Sequence, residues 1–298
     1  MVSSKNNILI IGGGRIGQKL KEVLQKNKPL IWDIDPKISD SKKTLKEEIK
    51  NKNFIFLCIP SVAYQEVLPQ IEKQIDSDTI IISLSKGLDS QGNFIYKTLQ
   101  KTFQGLCNFG MMGGPIMAEE IGKTKPAVAQ IGLSNMTDYL KVKELFSDSP
   151  IKIIGSRDPL GISIAGALKN VYALFLGITE ALVLGDNLKA YFTVKAIREM
   201  KKLGQKYGAR LETLNSICGI GDFVLTGFNP HSRDKETGEK LVKGERLEKS
   251  EGLHSLGFLV KIKSASWRKE KLPLLSALEE ITFNHKDAQE TVLNLLPH

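Results

Sequence analysis

A lysine at position 169 stands inside the longest near-apolar stretch of the chain, ISIAGALKNVYALFLGITEALVLG at 162–185. An ammonium there is costly unless it is paired or put to chemical use. Gly166 and Ala173 share its helical face and Gly177 continues the stripe, a lane along which another backbone or a ligand can approach. A partly desolvated lysine can give a proton to a developing alkoxide; the alternative is a side chain that snorkels to water or pairs with a carboxylate. Three other groups could join such chemistry. Asp222 lies in GIGDFVLTG (219–227), as a site carboxylate or as a turn or cap residue. Arg233, in PHSRD, carries a planar fork suited to a phosphate, unless it is a solvated surface arginine. Lys86 closes TIIISLSKG, at the carboxyl end of an expected parallel strand where open α/β sheets bind ligands; otherwise it is a surface loop lysine.

A second kind of chemistry is written near the N-terminus. KNNILIIGGGRIGQKL (5–20) places Gly12, Gly14 and Gly17 in G-x-G-x-x-G spacing, with Arg15 and Ile16 inside the motif, after a strand and at the opening of a helix. The first glycine allows a tight turn, the second lets backbone N–H groups approach a pyrophosphate, and the third lets helix pack on strand. Asp33 follows 21 residues after Gly12, where a carboxylate accepts from the adenosine ribose. The alternatives are a strand–helix corner without a ligand and, for Asp33, a helix N-cap. Asp33 and Asp35 would repel a ribose 2′-phosphate, and the nearest following base is Lys37, so NAD is the expected cofactor and NADP the less expected one.

The elements that must position these groups change character midway. Apolar runs at 7–11, 29–33, 53–59, 79–84, 106–112, 126–131 and 151–154 read as strands, with helical patterns at 14–26, 41–51, 61–75 and 136–146. Runs apolar throughout and spaced by helices predict a mainly parallel, Rossmann-type sheet covered on both faces. After GSRDPLG (155–161) only helical periodicity continues, at 161–185, 188–207, 210–217, 251–262 and 273–282, while 227–249 reads as loop plus a short helix. The expectation is a dinucleotide-binding domain at 1–157, an all-helical substrate and catalytic domain at 158–298, and a cleft between them.

Composition narrows the classes. The net charge is +9, but the 42 basic residues are scattered among 33 acidic ones, and no aromatic-plus-basic module of a nucleic-acid binder is present. Cys58, Cys107 and Cys218 lack disulfide or metal-ligand spacing, which points to a reducing compartment and to no metal. Lys169, Asn170 and Glu180 interrupt the 162–185 stretch, which is therefore read as a buried core helix and not as a membrane span. A cytoplasmic location is expected.

Taken in chain order, these pieces resemble the NAD(P)-dependent glycerol-3-phosphate dehydrogenase family over most of the length. The glycine turn is followed by LCIPS (57–61), SKG (85–87), GGPIMAEE (113–120), GALKN (166–170), GDNLKA (185–190), REM (198–200), YGARLET (207–213), GIGDFVLTG, HSRD and EG (251–252). GALKN combined with GIGD…T and SR is the specific part. The resemblance implies reduction of dihydroxyacetone phosphate to sn-glycerol 3-phosphate for phospholipid synthesis, with Lys169 as acid/base. It implies Lys86, Gly114, Asn170, Asp222, Ser232, Arg233 and Asp234 on the substrate side. Gly12, Gly14, Arg15, Ile16, Gly17, Asp33, Lys86, Ala118, Arg233 and Glu251 fall on the cofactor side. The expected partner is a small phosphorylated substrate, and a homodimer is the candidate assembly. Two positions depart from the family pattern: Ile116 stands where a serine is usual, and Asp234 where an asparagine is usual, so that a carboxylate is expected near the substrate phosphate. Two rival readings are a dehydrogenase of this architecture for another hydroxy or carbonyl substrate, and a catalytically silent dinucleotide sensor. The joint presence of Lys169, Asp222 and Arg233 argues against the second.

Overall fold

The computed structural model describes residues 7–121, 125–261 and 272–297. The chain divides into two compact units, Met1–Ser163 and Ile164–His298.

The first unit is built on seven strands: β1 (Ile8–Ile11), β2 (Leu30–Trp32), β3 (Phe54–Leu57), β4 (Ile80–Ser83), β5 (Asn108–Gly113), β6 (Ala127–Leu133) and β7 (Ile151–Ser156). Their order is β2-β1-β3-β4-β5-β6-β7, parallel throughout except where β5 meets β6. β1, β3 and β4 are buried along their whole length, which explains their unbroken apolar sequence. The isoleucines and phenylalanines of one sheet face gather Leu20 and Leu24, Val142, Leu145 and Phe146 into one core. The chain leaves β1 toward β2 and returns on the other side as β3, so the switch point of the sheet lies at the carboxyl ends of β1 and β3. The glycine turn is located there, opening α1 (Arg15–Val23).

All seven expected strands are present. The expected helix at 41–51 contracts to α2 (Leu45–Glu48), started by a Thr44–Glu47 capping box. Between these, α3 (Tyr64–Glu72) matches its expected place, and α4 (Ile95–Phe103), unassigned from sequence, buries Ile95, Leu99 and Phe103 at helical spacing. The last helix before β7 is α5 (Tyr139–Leu145).

The second unit is helical. Its centre is α6 (Pro159–Ala181), followed by α7 (Gly185–Lys206), α8 (Leu211–Leu214), a π-turn at Ile217–Gly221, α9 (Asp222–Phe228), α10 (Arg233–Lys243), α11 (Glu251–Lys261) and helices at Pro273–Phe283 and Ala288–Leu293. α6 is long and apolar enough to cross a membrane, but its most apolar window is entirely buried, so it is a core helix. α10 is longer than the short helix read into 227–249. Its buried face is made of Asp234, Lys235, Thr237 and Gly238, small or polar residues that hide an amphipathic pattern. A Cβ on Gly238 would collide with the Leu174 carbonyl, and one on Gly177 with the Lys235 carbonyl, so the backbones of α10 and α6 touch directly. The small-residue lane beyond Lys169 is thus filled at Gly177 by a helix. The expected helix at 251–262 ends at Lys261, and residue 262 lies outside the described residues.

Candidate active site

The glycine turn is shaped by three different constraints. Gly12 has φ +99°, and a Cβ on it would come within 2.7 Å of the Cys58 carbonyl oxygen. A Cβ on Gly17 would overlap the Gly12 carbonyl, so helix packs on strand only without a side chain. Gly14 differs: its φ is −65°, it is exposed, and an added Cβ would meet no protein atom within 4 Å. The protein itself imposes no glycine there. Gly14 also starts α1, whose first turn carries no acid and no side-chain cap. An open approach at a helix N-terminus, with N–H groups pointing outward, fits a dinucleotide pyrophosphate.

Asp33 braces this turn. Its Oδ2 accepts from Gly13 N–H at 2.6 Å and its Oδ1 from Asp35 N–H at 2.9 Å. A carboxylate has about four lone-pair directions, so capacity for ribose hydroxyls remains. Arg15, exposed at the start of α1, forms an ion pair with Glu119 at 2.7 Å. Ile16 packs on the sheet core. Lys86, just past β4, donates to the Gly114 carbonyl at 3.2 Å, and that oxygen also accepts from Ile116 N–H at 2.8 Å. Two substrate-side expectations, Lys86 and Gly114 (φ +120°), are therefore brought together. Ala118 is half-buried in the same loop. Ile116 packs against the sheet core, which gives an apolar residue at that position a structural reason.

In the second unit, Lys169 Nζ donates to Asp222 Oδ1 at 2.8 Å and to Thr226 Oγ1 at 2.6 Å. Lys169 is 6% and Asp222 1% exposed. Of the two alternatives for Lys169, pairing with a carboxylate holds and snorkelling does not. Asp222 and Thr226 lie four residues apart on one face of α9. The Thr226 hydroxyl donates to the Asp222 carbonyl at 2.8 Å, which turns a lone pair toward the ammonium. The π-turn before α9 sets this orientation, and its Gly219 backs onto the Leu214 carbonyl with no room for a Cβ. Thr226 was contained in the quoted motif but given no role from sequence; its i, i+4 relation to Asp222 was the available signal.

Asn170 follows Lys169 in α6 and is buried. Ser232 caps α10, its Oγ accepting from Lys235 N–H at 3.4 Å, and Arg233 is exposed at the first helical position. Glu251, half-buried, opens α11. Asp234 departs from the expectation of a carboxylate presented to a phosphate. It is 7% exposed, and its carboxylate accepts from Gly252 N–H at 2.8 Å. Burial pushes its carboxyl above the usual range, against that hydrogen bond and the fields of Lys169 and Arg233. It does not pair with Lys235, which bonds Glu180 at 2.7 Å. Among the described residues no cluster of His, Cys, Asp and Glu suits a metal ion.

Residues 36–138 match the family described as NAD-dependent glycerol-3-phosphate dehydrogenase N-terminus, and residues 158–293 the corresponding C-terminus. A glycerol-3-phosphate dehydrogenase [NAD(P)+] of Clostridium tetani is 29% identical, covering 97% of this chain and 91% of its own length. One from Bacillus thuringiensis (strain Al Hakam) is 31% identical, covering 85% of this chain and 77% of its own. The crystal structure of glycerol-3-phosphate dehydrogenase from Coxiella burnetii has the same fold, with TM-score 0.86 at 23% identity over 98% of this chain and 99% of that one. Two matched segments that together span most of the chain, with relatives about 30% identical, place it in the NAD-dependent glycerol-3-phosphate dehydrogenase family.

Proposed function

We propose that this protein interconverts dihydroxyacetone phosphate and sn-glycerol 3-phosphate with NAD, a reading carried by the buried Lys169–Asp222–Thr226 constellation in a chain of this family. When bound, the nicotinamide supplies the hydride chemistry at the substrate carbonyl carbon. The chain supplies position, charge and a proton. Lys169 holds at Nζ the proton that the carbonyl oxygen receives on reduction, and takes it back on oxidation. Asp222 and Thr226 hold the ammonium aimed, and burial keeps bulk water from it. Asn170 offers a neutral amide beside it. Lys86 and Gly114 are further substrate contacts, and Arg233 at the start of α10 grips the phosphate.

On this reading residues 1–157 hold the dinucleotide, through Gly12, Gly14, Arg15, Ile16, Gly17, Asp33, Lys86 and Ala118. Residues 158–298 carry the acid/base, with Arg233 and Glu251 also meeting the cofactor. Asp33, held by two backbone N–H groups, favours ribose hydroxyls over a 2′-phosphate and so NAD over NADP. The product would feed phospholipid synthesis in the cytoplasm, with a homodimer as the working assembly.

The test is NADH oxidation with dihydroxyacetone phosphate, beside NADPH and unphosphorylated dihydroxyacetone. Turnover that depends on the phosphate is the expected result. A protein that ignores this substrate yet reduces a neutral carbonyl acts on something else. NADH binding without turnover on any carbonyl makes it a sensor.

A further inference from the structure

Two helices in the second unit start with the same device. Ser232 caps α10 and Ser250 caps α11, whose Leu253 N–H donates to Ser250 Oγ at 3.2 Å. Asp234 lies in the first turn of α10, yet its carboxylate serves the other helix: Oδ1 accepts from Gly252 N–H at 2.8 Å. One buried anion thus stands between two helix N-termini, each favouring negative charge. The junction is tight. A Cβ on Gly252 would come within 2.8 Å of Asp234 Oδ1 and 2.5 Å of the carbonyl oxygen of Asn170, the neighbour of Lys169. The start of α11 is therefore wedged between Asp234 and α6.

We infer that Asp234 is a positioning residue for the phosphate grip. It locks the start of α10, where Arg233 is exposed, to the start of α11 and to the α6 backbone beside Lys169. The distance from the phosphate grip to the proton donor is thereby fixed by a side chain whose charge is absorbed inside the protein. This inference rests on the function proposed above and reverses the expectation that the Asp234 carboxylate repels the substrate.

The experiment compares Asp234→Ala, which removes the acceptor, with Asp234→Asn, which keeps an acceptor oxygen of the same shape for Gly252 N–H. Asp234→Ala is expected to raise KM for dihydroxyacetone phosphate about tenfold or more while kcat and KM for unphosphorylated dihydroxyacetone change less than threefold. Asp234→Asn is expected to restore KM to within threefold of the parent. Equal losses on both substrates, or an Asp234→Asn variant whose KM falls several-fold at low salt, would overturn the inference, the second because the phosphate then feels the charge. Should Asp234→Ala fail to fold, the Asp234→Asn result decides alone. Amide hydrogen exchange at Gly252 reads the brace without activity: protected in the parent and in Asp234→Asn, fast in Asp234→Ala. An exchangeable Gly252 N–H in the parent refutes the brace. A parent with that amide protected but without activity on dihydroxyacetone phosphate refutes the function instead.

Discussion

Replacing Lys169 separates its chemical role from its structural one. Lys169→Met keeps much of the volume but takes from Asp222, which is 1% exposed, its ammonium donor at 2.8 Å. Removing one partner of a buried ion pair costs about 3–5 kcal/mol. For a chain of this size each kcal/mol lowers Tm by about 2–4 °C, so a drop on the order of 10 °C is expected. Adding Asp222→Leu removes the other half of the pair, and apolar replacement of a buried pair is often neutral or stabilising. The double variant should therefore recover most of the lost Tm. Catalysis follows a different course: losing a general acid lowers kcat by about 10²–10⁴, or roughly 3–5 kcal/mol of barrier, and no gain in stability restores it. The assay is steady-state NADH oxidation with dihydroxyacetone phosphate, set beside thermal unfolding of parent, single and double variants. A Lys169→Met enzyme with kcat within threefold of the parent, or activity that returns with Tm in the double variant, would refute the acid/base role.

Other consequences follow from the same geometry. Gly14→Ala should leave Tm within about 2 °C, since its Cβ meets no protein atom, yet raise KM for NADH about tenfold; Gly17→Ala should instead destabilise, because its Cβ overlaps the Gly12 carbonyl. Equal behaviour of the two variants counts against a ligand at Gly14. NADH should be preferred over NADPH by about tenfold, which needs only about 1.4 kcal/mol, and Asp33→Ala should shrink the ratio; an unchanged ratio places the discrimination elsewhere. Arg233→Lys should weaken the phosphorylated substrate far more than dihydroxyacetone, because an ammonium cannot reproduce the bidentate fork. Cys58 and Cys107 are pushed up by burial to about 12, so below that pH both stay neutral thiols. Iodoacetamide at about pH 8 should label both slowly in the folded protein and faster after denaturation, and rapid labelling of the native form would contradict their raised values.

Much of the fold was legible because its strands are apolar on both faces. Ile8–Ile11, Phe54–Leu57 and Ile80–Ser83 read as buried parallel strands from type alone, and all seven strand positions were recovered. Helices that bury small or polar residues were not. α10 hides behind charges because its inner face meets α6 through Gly238, where backbone packs on backbone and no apolar stripe is needed. α2 contracted because its capping box starts it late, at Thr44.

By itself the sequence determined which groups are available: a glycine turn between strand and helix, an acid after the second strand, and a lysine in an apolar helix. Those are local facts of spacing and residue type, and local physics suffices to read them. Only the tertiary structure decided partners. Lys169 and Asp222 are 53 residues apart in the chain, and whether the ammonium snorkels or pairs depends on where the π-turn aims α9. From sequence, Asp234 is placed on the substrate side, its carboxylate near the substrate phosphate. Folding turns it inward to Gly252, because the N-terminus of α11 meets the first turn of α10 there and its Gly252 N–H donates to the carboxylate.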